Sequence, residues 1–362
     1  MKRSNLKLLL NAEPFGFGPT AAIAAFFPYL REKFQYMGYL GKDHTLDLQK
    51  DLPYETVHDV SKTPTEEIHR IMRQYDFFVT ALDFEMASFA QSVGLKVIIY
   101  DPLTWYWKFF PKIVKESDLY LAQDFFGVRE RIQKSKDLFP NNIQIVPPIV
   151  SQKRPRISKK FTLINLGGLQ NPFWSIDEVL QYAQTFVKAI KSCIPKDEDL
   201  VIATSSAIAA KLHDSRMRSY NRTEMHNILE NTKYAFMTSG LGNIYDAAKF
   251  DIPTVWLPPA NDSQGQQIDL LKKHEMVDTR IDWSDLGKTI DYFATQELVL
   301  KNIQDAIRTT TSTEKLETVM REVREKVCNK EGSATSVLLD TFGVGGAERI
   351  GEIVFEYCQS KE

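Results

Sequence analysis

Carboxylates and glycines recur at the ends of short apolar runs, and both have a chemistry to offer there. Glu13, Asp83 and Asp101 each close or follow such a run, with Glu85 two residues past Asp83. A carboxylate held partly out of water can take a proton from an attacking hydroxyl or amine. Taken singly, each also has the look of a helix cap or a solvated loop acid, so the group rather than one member is the candidate general base. The glycines fall into three sets: Gly16 with Gly18, Gly167 with Gly168 and then Gln170, and Gly240 with Gly242 in the run Ser239-Gly240-Leu241-Gly242-Asn243. A glycine turn that opens a helix leaves backbone N–H groups and the positive dipole end free, which suits a phosphate. Asp246 falls one to two turns into the helix after the third set, within reach of a ribose hydroxyl. Asn261, Gln266 and Gln267 belong to an amide and hydroxyl cluster able to bind several sugar hydroxyls, or else to a helix start.

Strands alternating with helices must position these groups. Lys233–Met237 and Thr254–Leu257 read as buried parallel strands flanking a helix of about ten residues, the second ending at Pro258-Pro259. Upstream, strands are expected at 6–10, 36–40, 76–81, 96–100, 119–122 and 144–146. Helices are expected at 21–33 with a kink at Pro28, at 64–73 capped by Thr63, and at 86–93 ended by Gly94. His69 on the second of these reads as solvated. Such alternation implies a parallel sheet covered on both faces, with ligands at the carboxyl ends of its strands. Trp105-Tyr106-Trp107-Lys108-Phe109-Phe110-Pro111 is the densest aromatic run, suited to stacking on a ligand or to packing. Residues 147–160 carry three prolines and five cations without apolar periodicity and read as a linker. The pattern then restarts with a strand at 161–166, the glycine loop 167–172, a helix at 177–191, a strand at 200–204 and a helix at 223–231. From Asp285 the chain is expected to be helical, and Phe342–Gly346 leads as a linker into a last helix at 347–357. The expected domains are 1–150 and 151–340, with 341–362 as a terminal helix packing back on the first.

With 362 residues, 43% of them hydrophobic, the chain has core material for two α/β domains. A net charge of −2 gives no reason to expect a nucleic-acid partner. Three scattered cysteines, Cys193, Cys328 and Cys358, have no metal spacing and read as reduced thiols. The first apolar run, Leu6–Leu10, is too short for a signal-peptide core, and no run approaches the roughly 18 residues of a membrane span. A cytoplasmic protein without membrane insertion is expected, and a homodimer stays open. No phosphate-binding P-loop or nucleophile elbow is present, and no Asp-x-Asp stands in a metal-binding context.

Three intervals carry a resemblance. The second half opens strand–Gly167-Gly168-Leu169-Gln170. Ser239-Gly240 is followed by Asp246 and then Pro253, and Pro259 is followed by Gln266-Gln267. Over about 100 residues this resembles the GT-B glycosyltransferases, most closely the family of the peptidoglycan N-acetylglucosaminyltransferase and its UDP-sugar relatives. The resemblance implies two Rossmann-like doubly wound domains facing across a cleft, with the donor held by the second and a small-molecule acceptor by the first. It implies that Asp246 holds the ribose hydroxyls and that Gly167, Gly168, Gly240 and the following helix face the diphosphate. Gln266 and Gln267 would touch the donor sugar, within a nucleotide-sugar set that also takes in Gly16, Gly18, Gln170, Ser239, Leu241, Gly242, Asn243 and Asn261.

Two departures stand out. Asp246 replaces the family's Glu, and Gly18-Pro19 replaces its Gly-His, so an imidazole base is absent there. Either Glu13, Asp83 or Asp101 takes the proton, or the acceptor needs little deprotonation, or the chemistry is not glycosyl transfer to a hydroxyl. Leu257–Gln264 also resembles enzymes that join a UDP-sugar acid to cytosine, and a cytosine-type nitrogen acceptor would suit that second option. The expectation is a metal-independent glycosyltransferase with no cofactor beyond its UDP-sugar donor, its stereochemistry open and a place in natural-product or nucleoside biosynthesis conceivable. The rivals are a nucleotide-sugar 2-epimerase or hydrolase on the same fold and a non-catalytic nucleotide-sugar-binding protein.

Overall fold

Runs of four to nine residues rich in Leu, Val, Ile and aromatics, separated by helix-length segments, can bury both faces only inside a parallel sheet. The computed structural model describes residues 3–154, 156–170, 173–310 and 314–362. Pro155 in the expected linker, and Asn171 and Pro172 at the end of the second glycine loop, lie outside the described residues. The chain forms two compact units, one of Met1–Ser151 with Phe342–Glu362 and the other of Gln152–Thr341.

The first unit has seven strands: β1 (Ser4–Ala12), β2 (Phe34–Gly41), β3 (Thr56–Asp59), β4 (Phe77–Ala81), β5 (Lys96–Asp101), β6 (Leu119–Gln123) and β7 (Ile143–Val146). Their order across the sheet is β3-β2-β1-β4-β5-β6-β7, every pairing parallel. The helix Gly18–Arg31 turns Ile23, Phe26, Phe27 and Leu30 onto the sheet. The last helix, Gly346–Gln359, adds Ile350, Ile353, Val354 and Cys358 to the same core.

The second unit has six: β8 (Phe161–Asn165), β9 (Asp199–Ala203), β10 (Met217–Arg218), β11 (Thr232–Met237), β12 (Thr254–Trp256) and β13 (Thr279–Arg280). They run in the order β10-β9-β8-β11-β12-β13, again all parallel. Tyr182 and Trp283 sit in this core, with Phe186 between them at ring distances of 4.6 and 5.8 Å. The Tyr182 hydroxyl donates to the Pro258 carbonyl at 2.6 Å and the Trp283 indole to that of Pro259 at 2.8 Å. Neither proline offers an N–H, so these carbonyl bonds fix the course of the chain as it leaves β12.

In each sheet the strands step outward from the first and then resume on its other side. This places a topological switch between β1 and β4, and another between β8 and β11, the usual ligand positions in open α/β sheets. The sequence does not announce β3, β10 or β13, which are short edge strands, nor the helix Ser206–Leu212. Thr63 is not a helix cap. The helix runs Thr65–Met72 behind Pro64, and the Thr63 hydroxyl donates instead to the Asp59 carbonyl at 3.3 Å.

Gly346 shows why the turn before the last helix is glycine-rich. Its N–H donates to the Pro148 carbonyl at 3.0 Å, and a Cβ built on it would lie 2.0 Å from the Pro147 carbonyl oxygen. Backbone on both sides leaves nothing to yield, so Gly346→Ala is expected to destabilise the first unit by about 2 kcal/mol. Urea denaturation followed by circular dichroism measures this, and an unchanged midpoint would refute the close approach.

Candidate functional site

The carboxyl ends of β8 and β11 carry the second and third glycine sets. After β8, Gly167 and Leu169 both adopt left-handed backbone, at φ 59° and 51°. The Asn165 side chain accepts from the Gly167 N–H at 3.0 Å and donates to Asn243 Oδ1 at 3.1 Å. Asn243 Nδ2 in turn donates to the carbonyl and hydroxyl of Thr238, at 3.0 and 3.1 Å. Thr204 donates to the Gly167 carbonyl at 3.2 Å and Ser239 to the Gln264 carbonyl at 3.3 Å. Loops from β8, β9, β11 and β12 are thereby tied together, and Asn243 is a brace among them.

Gly240 stands at the N-cap of the helix Leu241–Phe250 without any side-chain cap, and the first turn contains no acid. The helix's first backbone bond is made by Ile244, so the N–H groups of Leu241, Gly242 and Asn243 stand ahead of the ladder. A Cβ at Gly240 or Gly242 would meet nothing within 4 Å, so the fold itself leaves room beside these donors. Asp246 lies half-buried on this helix, and among the described residues its carboxylate makes no hydrogen bond. Burial pushes it up to about 6, with Lys249 and Arg222 pulling the other way.

The amide cluster after β12 divides. Asn261 is the N-cap of the helix Asp262–Lys273, its Oδ1 accepting from the Gln264 N–H at 2.9 Å. Gln266 is 7% exposed and donates inward to the Tyr292 carbonyl at 2.7 Å. Among the described residues two buried carbonyl oxygens find no donor, Oε1 of Gln267 and Oε1 of Gln170. Among the described residues the Ser205 hydroxyl, at the head of the helix after β9, is also without a partner, and no motif in the chain marks it.

In the first unit, the Glu13 N–H donates to the Ala81 carbonyl at 2.9 Å, joining the loop after β1 to the end of β4. Leu82 then takes a left-handed φ of 67°, a strained conformation for a branched side chain. This turns Asp83 into the cap of the helix Phe84–Ser92, where it accepts from the Met86 N–H at 3.0 Å. Asp101 is wholly buried and accepts from the Leu103 N–H at 2.5 Å, the Trp107 indole at 2.9 Å and the Tyr120 hydroxyl. Burial raises both, Asp101 to about 6. Through Trp107 it anchors the aromatic loop.

Glu13 differs. It is half-buried, and its carboxylate makes no hydrogen bond among the described residues. Burial first, and then the charge of Asp83, push it up to about 7, Lys42 opposing and Glu85 adding. Gly16 has φ 65°, and its carbonyl accepts from His44 Nε2 at 2.7 Å, while Gly18 is the exposed first residue of its helix. A carbonyl can only accept, so in the neutral ring Nε2 carries the proton and Nδ1 is the bare nitrogen. No motif in the chain signals that an imidazole from the loop after β2 stands on this glycine turn.

Two parallel sheets of this strand order define the GT-B class of α/β fold, and solved structures agree. The chain is similar to MurG of Acinetobacter baumannii, with TM-score 0.55 at 13% identity over 97% of this chain and 99% of that one. A UDP-glucosyltransferase from Polygonum tinctorium matches with TM-score 0.53 at 12% identity, over 97% and 100%. UGT89C1 of Arabidopsis thaliana, complexed with UDP, matches with TM-score 0.52 at 11% identity, over 93% and 98%. No protein-family model matches the chain, and no curated protein matches it. Likeness at this identity shows the fold.

A raised carboxyl opposes folding once it ionises, so the Glu13 cost grows between its ordinary 4.5 and about 7 and is complete above. Glu13→Gln is therefore expected to be more stable than the parent at pH 8, by on the order of 2 kcal/mol, and equal to it near pH 4. Chemical denaturation at the two pH values decides, and a variant less stable at pH 8 would contradict the desolvated setting of Glu13.

Proposed function

We propose that this protein is a glycosyltransferase that moves a sugar from a nucleoside-diphosphate donor, a UDP-sugar, to a small-molecule acceptor without a resident metal. The observation that carries the reading is the uncapped helix head at Gly240 with Asp246 on the same helix. The diphosphate lies against the N–H groups of Leu241, Gly242 and Asn243, where the dipole meets the charge that grows as the donor bond breaks. The ribose hydroxyls donate to Asp246, which otherwise lacks donors. Sugar hydroxyls donate to the carbonyl oxygens of Gln267 and Gln170. Glu13, poised near neutrality, takes the acceptor proton. The acceptor's lone pair forms the bond to the anomeric carbon as the diphosphate leaves, and this single displacement inverts the centre. The GT-B fold, shared with proteins whose structures contain UDP, supports the same reading.

Calorimetric titration with UDP, GDP, CDP and TDP in the presence of a chelator tests it. One diphosphate, UDP, is expected to bind. Asp246→Ala is expected to weaken that binding about tenfold or more while keeping the parent's circular dichroism. No binding of any diphosphate would overturn the donor site, and unchanged UDP affinity in Asp246→Ala would overturn the ribose contact. With donor and acceptor supplied, kcat/KM is expected to rise with pH through about 7. Glu13→Gln should lower it by roughly 10²–10⁴. Sugar released from donor alone at the full rate would instead identify a hydrolase or epimerase.

A further inference from the structure

The carboxyl edge of the first sheet carries a connected aromatic surface that begins beside Glu13. Phe84 directly follows the capping Asp83, and its ring meets Trp107 edge to face at 5.5 Å. Trp107 is held by its indole N–H on Asp101 at 2.9 Å, and the Tyr106 ring lies 5.1 Å from it. Trp105 continues the series 5.9 Å from Tyr106, its carbonyl accepting from Arg131 at 3.2 Å. Phe84, Trp105, Tyr106 and Trp107 are all half-buried, so ring surface remains open although the loop is fixed at both ends.

A ring packed only for stability would bury this area in the core, as Phe125 does beneath Trp105 at 5.5 Å. Asp83 and Glu85 both act on Glu13 in the raising sense, and Lys42 opposes them. Further along the loop Lys108 is exposed. A ligand bringing another negative charge beside an ionised Glu13 meets repulsion from these carboxylates in a poorly solvated setting.

We infer that the acceptor is an uncharged aromatic molecule, a phenol, aromatic amine or nitrogen heterocycle, whose ring lies on Phe84 and Trp107 and whose O–H or N–H faces Glu13. This rests on the glycosyl-transfer reading above and narrows its acceptor. The acceptor's proton passes to Glu13, its lone pair makes the bond to the anomeric carbon, and the electrons of the broken C–O bond leave on the diphosphate. Aromatic carboxylates and phosphates are rejected by charge, and saturated rings lose the offset and edge contacts that a π-surface makes.

The test uses the full-length protein and three probes of one shape, 4-ethylphenol, 4-ethylbenzoate and 4-ethylcyclohexanol, at pH 8. Binding is followed by saturation-transfer NMR with and without UDP, and UDP affinity is measured on the same samples. The phenol is expected to bind at least tenfold more tightly than either of the others. Trp107→Leu should reduce that preference to threefold or less with UDP affinity kept, and Glu13→Gln should improve benzoate binding. Equal binding of phenol and benzoate, equal binding of phenol and cyclohexanol, or no binding by any probe overturns the inference. A preference unchanged in Trp107→Leu does the same, and Phe84→Leu provides the second test of the surface if the first variant fails to fold. Failure of UDP to bind strikes the donor reading instead, and the order of the three probes still decides the aromatic one.

Discussion

The hydrogen-bond chain from Asn165 through Asn243 to Thr238 is the interaction on which the carboxyl edge of the second sheet depends. β8 and β11 lie side by side, yet their following loops must diverge to leave space between them. Backbone groups released from the ladder there need partners. Asn243 supplies them from a helix whose own N-terminus then stays uncovered. A side-chain cap at Gly240 would satisfy the same helix more simply, but it would fill the place where a phosphate can sit. Polar amides thus do the holding at a distance of one turn, and the helix head is kept for something else.

The first unit solves a related problem with carboxylates. Glu13, Asp83 and Asp101 stand at neighbouring strand ends and all are raised by burial. They differ in donors. Asp83 caps a helix, and Asp101 receives an N–H, an indole and a phenol, whereas the Glu13 carboxylate has no such company. A carboxylate left partly dry without hydrogen bonds costs stability, and groups of that kind concentrate where proton transfer occurs. The same division marks the second unit, where Gln266 is tied to Tyr292 while the neighbouring Gln267 oxygen is left open.

Much of the fold is legible in the chain because buried parallel strands such as Phe77–Ala81 and Lys96–Asp101 are unbroken apolar runs with a breaker beside them. Edge strands carry no such signal. Thr56–Asp59 alternates in exposure and holds a His and an Asp, while β10 and β13 are two residues each. The strand-end glycines and carboxylates are legible as positions, whereas their partners are not. Glycine spacing points to Gly240 and the helix after it, since turn and helix are local. Whether Asp101 is a base or an anchor depends on Tyr120, 19 residues away, and the imidazole at Gly16 comes from 28 residues on. The brace between Asn165 and Asn243 spans 78. Side-chain partners at such separations leave no pattern in a single sequence.

The return of the chain at Phe342 has a bearing on how the protein comes to be made. Residues 342–359 complete the core of the unit that begins at the amino terminus, while the second unit is one uninterrupted stretch. On the ribosome the second unit can therefore close first, although it is encoded later than most of its neighbour. Until the last helix emerges, the apolar groove formed by the first helix and the edge of its sheet stays uncovered, at a synthesis rate of about 5–20 residues per second. Loss of the final helix would leave the apolar surface that Ile350, Ile353, Val354 and Cys358 cover open to solvent.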